Sequence, residues 1–221
     1  MKAKLNEIIK HGHLGIIAAF FAIYMVTFSY IENRDVHHYI VHTVLDEKIP
    51  FCEYFIIPYL LWFIFVAVTV LYFMFFNQNK WKEYYQLMIT LGIGMTLFLV
   101  ISLVFPNGQD LRPVLSGNSI FIQAVQFIYH TDTPTNVLPS IHVYNSLGAA
   151  IAIGHSQALK KHRGIQFVSY GLAGLIVLST MFLKQHSVTD VIAAVALTFM
   201  IYPLIYVTQT KRAPKLSQQP I

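Results

Sequence analysis

Six long apolar runs constrain the fold of this chain more than any other feature of its sequence. An α-helix that rises 1.5 Å per residue needs about 20 residues to cross the hydrocarbon core of a bilayer. The runs have about that length and cover residues 14–30, 54–76, 87–105, 143–159, 165–183 and about 186–206. Charged residues make up 11% of the chain, against roughly 25% in soluble domains. The sequence therefore predicts an all-α fold, a six-span transmembrane helical bundle.

All six runs belong to one predicted membrane domain, residues 1–207. We interpret the first run as a retained helix, because it is longer than the apolar part of a signal peptide and no small-residue cleavage site follows it. The segment 208–221 is basic and contains Pro and Gln, so we expect a disordered cytoplasmic tail there. A single cysteine, Cys52, excludes an internal disulfide.

Positive charge is distributed unevenly between the two ends of the predicted spans. Eleven of the 15 Lys and Arg residues lie in the N-terminal segment, the second and fourth links and the tail. The other four, Arg34, Lys48, Arg112 and Lys184, lie in the odd-numbered links. The positive-inside rule then predicts cytoplasmic termini in a multi-pass protein, which we expect in the plasma membrane. Anionic lipid explains the net charge of +5, and we expect no nucleic-acid partner.

Two histidines distant in sequence are predicted to lie at the same membrane face. The runs 143–159 and 165–183 are split by basic residues and form a helical hairpin, which returns to the side it left. His142 precedes this hairpin and His186 follows it, so both fall on the extracytoplasmic side. Asp190 lies four residues after His186 and shares its helix face.

These residues can support nucleophilic chemistry. A carboxylate at Asp190 can fix the tautomer of His186 and leave its other nitrogen free to attack phosphorus. His142, at the start of the fourth helix, can protonate a leaving oxygen. The predicted catalytic residues are therefore His186, His142 and Asp190.

Three further residues are predicted to bind the phosphate of the substrate. Ser140 is a good N-cap, and free amides at a helix start favour an anion. Arg112 offers a planar guanidinium that suits phosphate oxygens, and Lys184 adds a second cation. Such a set can transfer a phosphoryl group with no metal and no cofactor. Simpler explanations exist for each residue alone, such as an interfacial anchor for Arg112 or Lys184 and a helix cap for Ser140.

Other polar residues are given structural interpretations. His37, His38 and His42 lie in the first link, where the helical spacing of His38 and His42 makes a metal site conceivable. We favour a short interfacial helix with solvent-facing histidines, which would cover the site. His130 and Asp132 are interpreted as an ordinary polar loop in preference to a headgroup contact.

The combined pattern resembles a known family. Three segments resemble, in order and spacing, the signature motifs of the type 2 phosphatidic acid phosphatase superfamily, within residues 105–190: Arg112-Pro113, Pro139-Ser140-Ile141-His142, and Ser179-Thr180 with His186 and Asp190. The resemblance implies a phosphohistidine at His186, oriented by Asp190, with His142 as general acid. It also implies that Arg112 and Ser140 bind phosphate. The chain differs from the family pattern at Phe105, Ile141 and Thr180, where Lys, Gly and Arg are usual.

The function predicted from these features is hydrolysis of a lipid phosphomonoester or pyrophosphate at the extracytoplasmic face. The first alternative is a lipid phospho-headgroup transferase, because Pro-Ser-x-His and Lys-Gln-His resemble the branch with inositol phosphorylceramide and sphingomyelin synthases. A second alternative is a non-catalytic transporter or scramblase. The expected partners are membrane lipids and a lipid phosphate substrate.

Overall fold

The computed structural model describes residues 2–77 and 81–207, with side chains from residue 15 onward. Eight α-helices and two short strands lie in this part of the chain: α1 (Lys2–Glu32), β1 (Tyr39–Ile40), α2 (Val44–Lys48), α3 (Ile56–Leu71), α4 (Trp81–Val104), β2 (Asn107–Gly108), α5 (Ile120–Thr131), α6 (Ile141–His155), α7 (Arg163–Phe182) and α8 (Val188–Tyr202). The predicted tail, 208–221, lies outside the described residues. The predicted all-α class is confirmed.

Five helical segments of the described chain have the length and apolar composition to cross a membrane: Gly15–Glu32, Glu53–Phe76, Trp81–Val104, Arg163–Phe182 and Val188–Val207. They correspond to the first, second, third, fifth and sixth predicted runs. The fourth run becomes α6, which has 15 residues. At 1.5 Å per residue it is about 22 Å long, shorter than a hydrocarbon core of about 30 Å. A membrane helical bundle is therefore confirmed, and the count of six spans stays a prediction.

Helix α6 lies at the centre of the bundle and contacts α3, α4, α7 and α8. Its inner surface is built from small buried residues, Gly148, Ala149, Ala150 and Ala152, which allow helices to approach closely. Tyr144 is a large residue among these small ones. Tyr144 fits against α4 where Gly94 has no side chain, and its hydroxyl donates to a carbonyl of α4 at 3.0 Å. Because the first turn of α6 carries His142, this packing also positions the candidate site.

Replacing Gly94 by alanine is expected to destabilise the protein. A Cβ at this position would lie 2.0 Å from Cε1 of the buried Tyr144 ring, so the ring or the helix must move. Overpacking of this kind costs about 1–3 kcal/mol. We expect a lower Tm in detergent for Gly94→Ala, whereas Gly92→Ala, with open space around it, should match or exceed the wild type. Equal Tm values for the two variants would contradict this packing.

The links at the site end of the bundle are joined to one another. Strand β1 pairs in parallel with β2, and Gly108 of β2 also bridges to Thr135 in the link before α6. Asn107 accepts hydrogen bonds from the backbone N–H groups of Val137 and Leu138 through Oδ1, both at 2.9 Å. The first and third links therefore form one layer over the ends of α4, α6 and α8.

The histidines of the first link differ from their predicted arrangement. His37 and His38 lie in an extended segment before β1, and the short helix α2 begins only after His42. The predicted helix through these histidines is therefore wrong. His38 and His42 consequently do not have the helical spacing that made a metal site conceivable. Strand pairing with β2 holds this segment extended. His42 lies between Glu47 and Asp110, at 3.5 and 3.3 Å, and no group of three potential metal ligands occurs in the described part of the chain.

Candidate active site

The start of α8 brings His186 and Asp190 together. Ser187 is the N-cap of this helix and forms a capping box with Asp190, whose Oδ2 accepts the Ser187 backbone N–H at 2.9 Å. The same oxygen lies 3.3 Å from Nδ1 of His186. Asp190 is fully buried and His186 nearly so. A carboxylate can only accept, so this contact places the proton on Nδ1 and leaves Nε2 without a proton.

His142 lies beside this pair, in the first turn of α6. The centroids of the His142 and His186 rings are 5.7 Å apart, although the two residues are distant in sequence. The His142 ring also packs on two aromatic rings of α3, Tyr59 at 4.8 Å and Trp62 at 4.3 Å. Its Nδ1 has no hydrogen-bond partner within the described residues. The structure thus holds a second imidazole in a fixed orientation next to the first.

Ser140 connects α6 to α8. Its hydroxyl oxygen accepts the backbone N–H of Val143 at 3.4 Å, as expected of an N-cap. Its own N–H donates to the carbonyl of Asp190 at 3.4 Å, and the residue is fully buried. The cap therefore fixes the relative position of the two helix starts that carry His142 and His186.

A small cavity of about 40 Å³ lies against the two histidines. One wall is apolar and contains Phe28 of α1 and Phe98 of α4. Polar lining comes from the segment before α6 and the loop before α8, which also contribute the apolar Val137: Asp132, Thr133, Thr135, Asn136 and Gln185. Our interpretation of residue 132 as an ordinary polar loop missed this position, because only the folding of the loop brings Asp132 to the cavity. The cavity can therefore receive a molecule with one polar and one apolar part.

Arg112 does not line the cavity and lies behind its polar lining. Its Nη1 donates to the carbonyl of Tyr129 at 3.0 Å, and its Nη2 donates to the carbonyl of Asp132 at 2.7 Å and to Oε1 of Gln185 at 2.5 Å. The guanidinium also lies 4.6 Å above the Tyr129 ring. Burial lowers the pKa of Arg112, and the Asp132 carboxylate opposes this effect. Arg112 therefore supports the cavity wall through its backbone contacts.

Lys184 points away from the cavity towards the first link. Its Nζ donates to the carbonyls of Asp46 at 2.6 Å and Ile49 at 2.5 Å. Burial lowers the pKa of this ammonium group, and the nearby Asp46 carboxylate raises it. The structure therefore does not bring together the three predicted phosphate-binding residues, since Ser140, Arg112 and Lys184 each hold a separate piece of backbone.

Asp46 is a buried carboxylate of α2 that contacts the start of α8. It was not among the site residues predicted from the sequence. Its Oδ1 accepts the backbone N–H of Val188 at 2.7 Å, and its Oδ2 accepts the Ser187 hydroxyl at 2.7 Å. Oδ2 also accepts the N–H of Thr43, which closes a capping box on α2. The local spacing of Thr43 and Asp46 signals that box, but nothing in the sequence points to a partner 141 residues away. Together with Lys184, Asp46 fastens the first link to the loop that carries His186.

Replacing Asp46 by asparagine is expected to lower the free energy of unfolding by about 1–3 kcal/mol. An amide has one acceptor oxygen where the carboxylate has two, so one buried donor at the start of α8 loses its partner. The control is Glu47→Gln, which neutralises the adjacent, largely exposed carboxylate. Thermal unfolding in detergent measures both variants. Equal destabilisation by the two changes would show that Asp46 has no special role in holding α8.

The fold and this site define a membrane protein with a buried imidazole–carboxylate pair next to a second imidazole. Residues 87–214, more than half of the 221-residue chain, match the family model described as the PAP2 superfamily. The chain therefore belongs to the PAP2 superfamily, an assignment that confirms the resemblance predicted from its motifs. It is accordingly an enzyme of the phosphatase or phosphotransferase type that acts on lipid phosphates. No curated protein and no solved structure matches the chain.

Proposed function

We propose that this protein hydrolyses a phosphomonoester or pyrophosphate on a membrane lipid through a phosphohistidine at His186. The observation that carries the proposal is the contact between His186 Nδ1 and the fully buried Asp190 at 3.3 Å, with the His142 ring 5.7 Å from the His186 ring. A histidine whose Nδ1 is held by a carboxylate has its other nitrogen available for attack. The cavity beside the pair is lined by both polar and apolar side chains, which suits the phosphate and the adjoining apolar part of a lipid.

The proposed reaction has two displacements at phosphorus. In the first, Nε2 of His186 forms a bond to phosphorus while the bond to the leaving oxygen breaks. His142 must enter this step as the imidazolium; it gives one proton to the leaving oxygen and becomes neutral. Asp190 stabilises the positive charge that develops on the His186 ring. In the second, His142 takes a proton from water as the water oxygen bonds to phosphorus. The N–P bond then breaks, phosphate leaves and both histidines return to their starting states.

We also propose that the site faces the extracytoplasmic side of the plasma membrane, with both termini in the cytoplasm. The support is the excess of Lys and Arg in the N-terminal segment, the second and fourth links and the tail. Each of these basic segments would then lie near anionic lipid of the cytoplasmic leaflet. On this topology the substrate reaches the site from the outer leaflet.

A second candidate is transfer of the phospho-headgroup to an alcohol in place of water. The cavity favours it, because Asn136 lies beside the histidines and its Oδ1, which has no hydrogen-bond partner among the described residues, can accept a hydrogen bond from a hydroxylated acceptor. Both candidates use the same covalent step and differ only in the second nucleophile. Membership in the superfamily favours either of them over a transporter or scramblase.

Phosphate release from a lipid panel tests the proposed function. Purified protein in detergent receives phosphatidic acid, phosphatidylglycerol phosphate or an isoprenyl pyrophosphate, with EDTA present throughout. We expect release of inorganic phosphate from at least one lipid, unaffected by EDTA. Folded protein that releases no phosphate from any of the three contradicts the hydrolase proposal. Headgroup transfer that then begins when a diacylglycerol or ceramide acceptor is added supports the second candidate.

A further inference from the structure

We infer that Gln185 binds the phosphate of the substrate directly and that Arg112 acts through it. This inference rests on the proposed function, because it names a further ligand of the same phosphate. Gln185 precedes His186, lines the cavity together with both histidines, and has only 2% of its surface exposed. Gln185 therefore lies next to the position where a phosphate would meet His186.

The orientation of this amide follows from its neighbour. Arg112 can only donate hydrogen bonds, so the Gln185 atom that it contacts at 2.5 Å must be the oxygen, Oε1. The nitrogen, Nε2, is then turned away from the guanidinium. It has no hydrogen-bond partner among the residues that the structure describes.

An unpaired donor in a buried site is costly, which favours a ligand that supplies the missing acceptor. The ligand must offer an oxygen next to His142 and His186, and a phosphate oxygen satisfies this condition. The positive charge of Arg112 on Oε1 also polarises the amide and strengthens Nε2 as a donor. The guanidinium thus influences the phosphate without contacting it.

The positions where the family usually has further cations do not supply that donor. Phe105 stacks on the Tyr39 ring at 5.2 Å, and the hydroxyl of Thr180 donates to the carbonyl of Val177 at 2.8 Å. Neither residue lines the cavity. Lys184 donates to the first link, at 2.6 Å from the Asp46 carbonyl. Of these residues, Gln185 is the one that lines the cavity and keeps an unpaired donor.

Two variants remove the Nε2 donor in different ways. Gln185→Glu keeps the shape and the acceptor for Arg112, and Gln185→Met keeps the approximate volume without adding charge. The control is Gln123→Glu, which adds the same charge on an exposed position of α5. Binding is measured with inorganic phosphate and orthovanadate, as the increase in Tm and by calorimetric titration in detergent.

We expect both variants to bind phosphate about ten- to hundredfold more weakly than the wild type, as for loss of a hydrogen bond to a charged group. The Tm of Gln185→Glu without phosphate should stay unchanged, because its contact with Arg112 is kept, and Gln123→Glu should bind as the wild type does. Wild-type affinity in either Gln185 variant overturns the inference, and so does a wild-type protein that binds neither anion. Turnover of the lipid panel is scored separately, so loss of anion binding in the variants supports Gln185 even if no lipid is hydrolysed.

Discussion

Replacing His186 by alanine is expected to reduce phosphate release by about four to six orders of magnitude. The imidazole is the proposed nucleophile, and the neighbouring His142 has no carboxylate partner on its Nδ1 to orient it for the same role. Loss of a nucleophile in other covalent enzymes has effects of this size. Because the ring is nearly buried and contacts Asp190, we also expect a lower Tm, and the rate is therefore compared per folded protein. Initial rates at saturating lipid measure the effect.

The matched control is His155→Ala, at the opposite end of α6. His155 is exposed and contacts Tyr202, with 3.2 Å between Nε2 and the hydroxyl, so its loss should leave the rate unchanged. A phosphorylated intermediate trapped by rapid quenching should be acid-labile and map to His186 by mass spectrometry. A His186→Ala variant that keeps a rate within tenfold of the wild type would falsify the covalent mechanism.

Replacing Asp190 by asparagine is expected to lower kcat by about three to four orders of magnitude. Asparagine removes the charge that stabilises the developing imidazolium. A side-chain turn that places its amide nitrogen at Nδ1 of His186 also favours the wrong tautomer, at the cost of the bond from the Ser187 N–H. KM should change only a few-fold, because Asp190 is not among the residues that line the cavity. Steady-state kinetics with one lipid substrate separates the two parameters.

Asp190 also caps α8, so stability has to be measured beside activity. Its Oδ2 accepts the Ser187 N–H at 2.9 Å, and the amide oxygen of asparagine can keep that bond only by turning its nitrogen elsewhere. The control is Asp110→Asn, which neutralises an exposed carboxylate in the third link. A large loss of Tm with an unchanged kcat in the folded fraction would show that Asp190 serves only the helix.

Features that depend on neighbours along the chain followed well from the sequence. Five of the six predicted runs are helices that can span a membrane. The spacing of His186 and Asp190 predicted their contact, although α8 begins only at Val188, after His186. The N-cap at Ser140 was also predicted from its residue type and place. Helix geometry makes such contacts a property of spacing alone, which is why the pattern is sufficient.

Hydropathy alone did not predict the short length of α6. The apolar run 143–159 continues past the last helical residue, His155, and the chain leaves the helix at Ser156. A helix that faces lipid must match the bilayer, whereas a helix surrounded by other helices is limited by their packing. Both kinds of helix are apolar, so composition does not distinguish them.

The sequence by itself determined the helical class, the membrane environment, the order of the motifs and the local pairing of His186 with Asp190. Only the tertiary structure decided which groups the long polar side chains contact: Lys184 at the first link, Arg112 on Gln185, and Asp46 at the start of α8. The physical reason is that most of their partners are backbone groups, which every residue carries and which leave no signal in the sequence. Chain folding selects one such partner among many, and as a result Gln185, and neither of the two predicted cations, lines the cavity together with the two histidines.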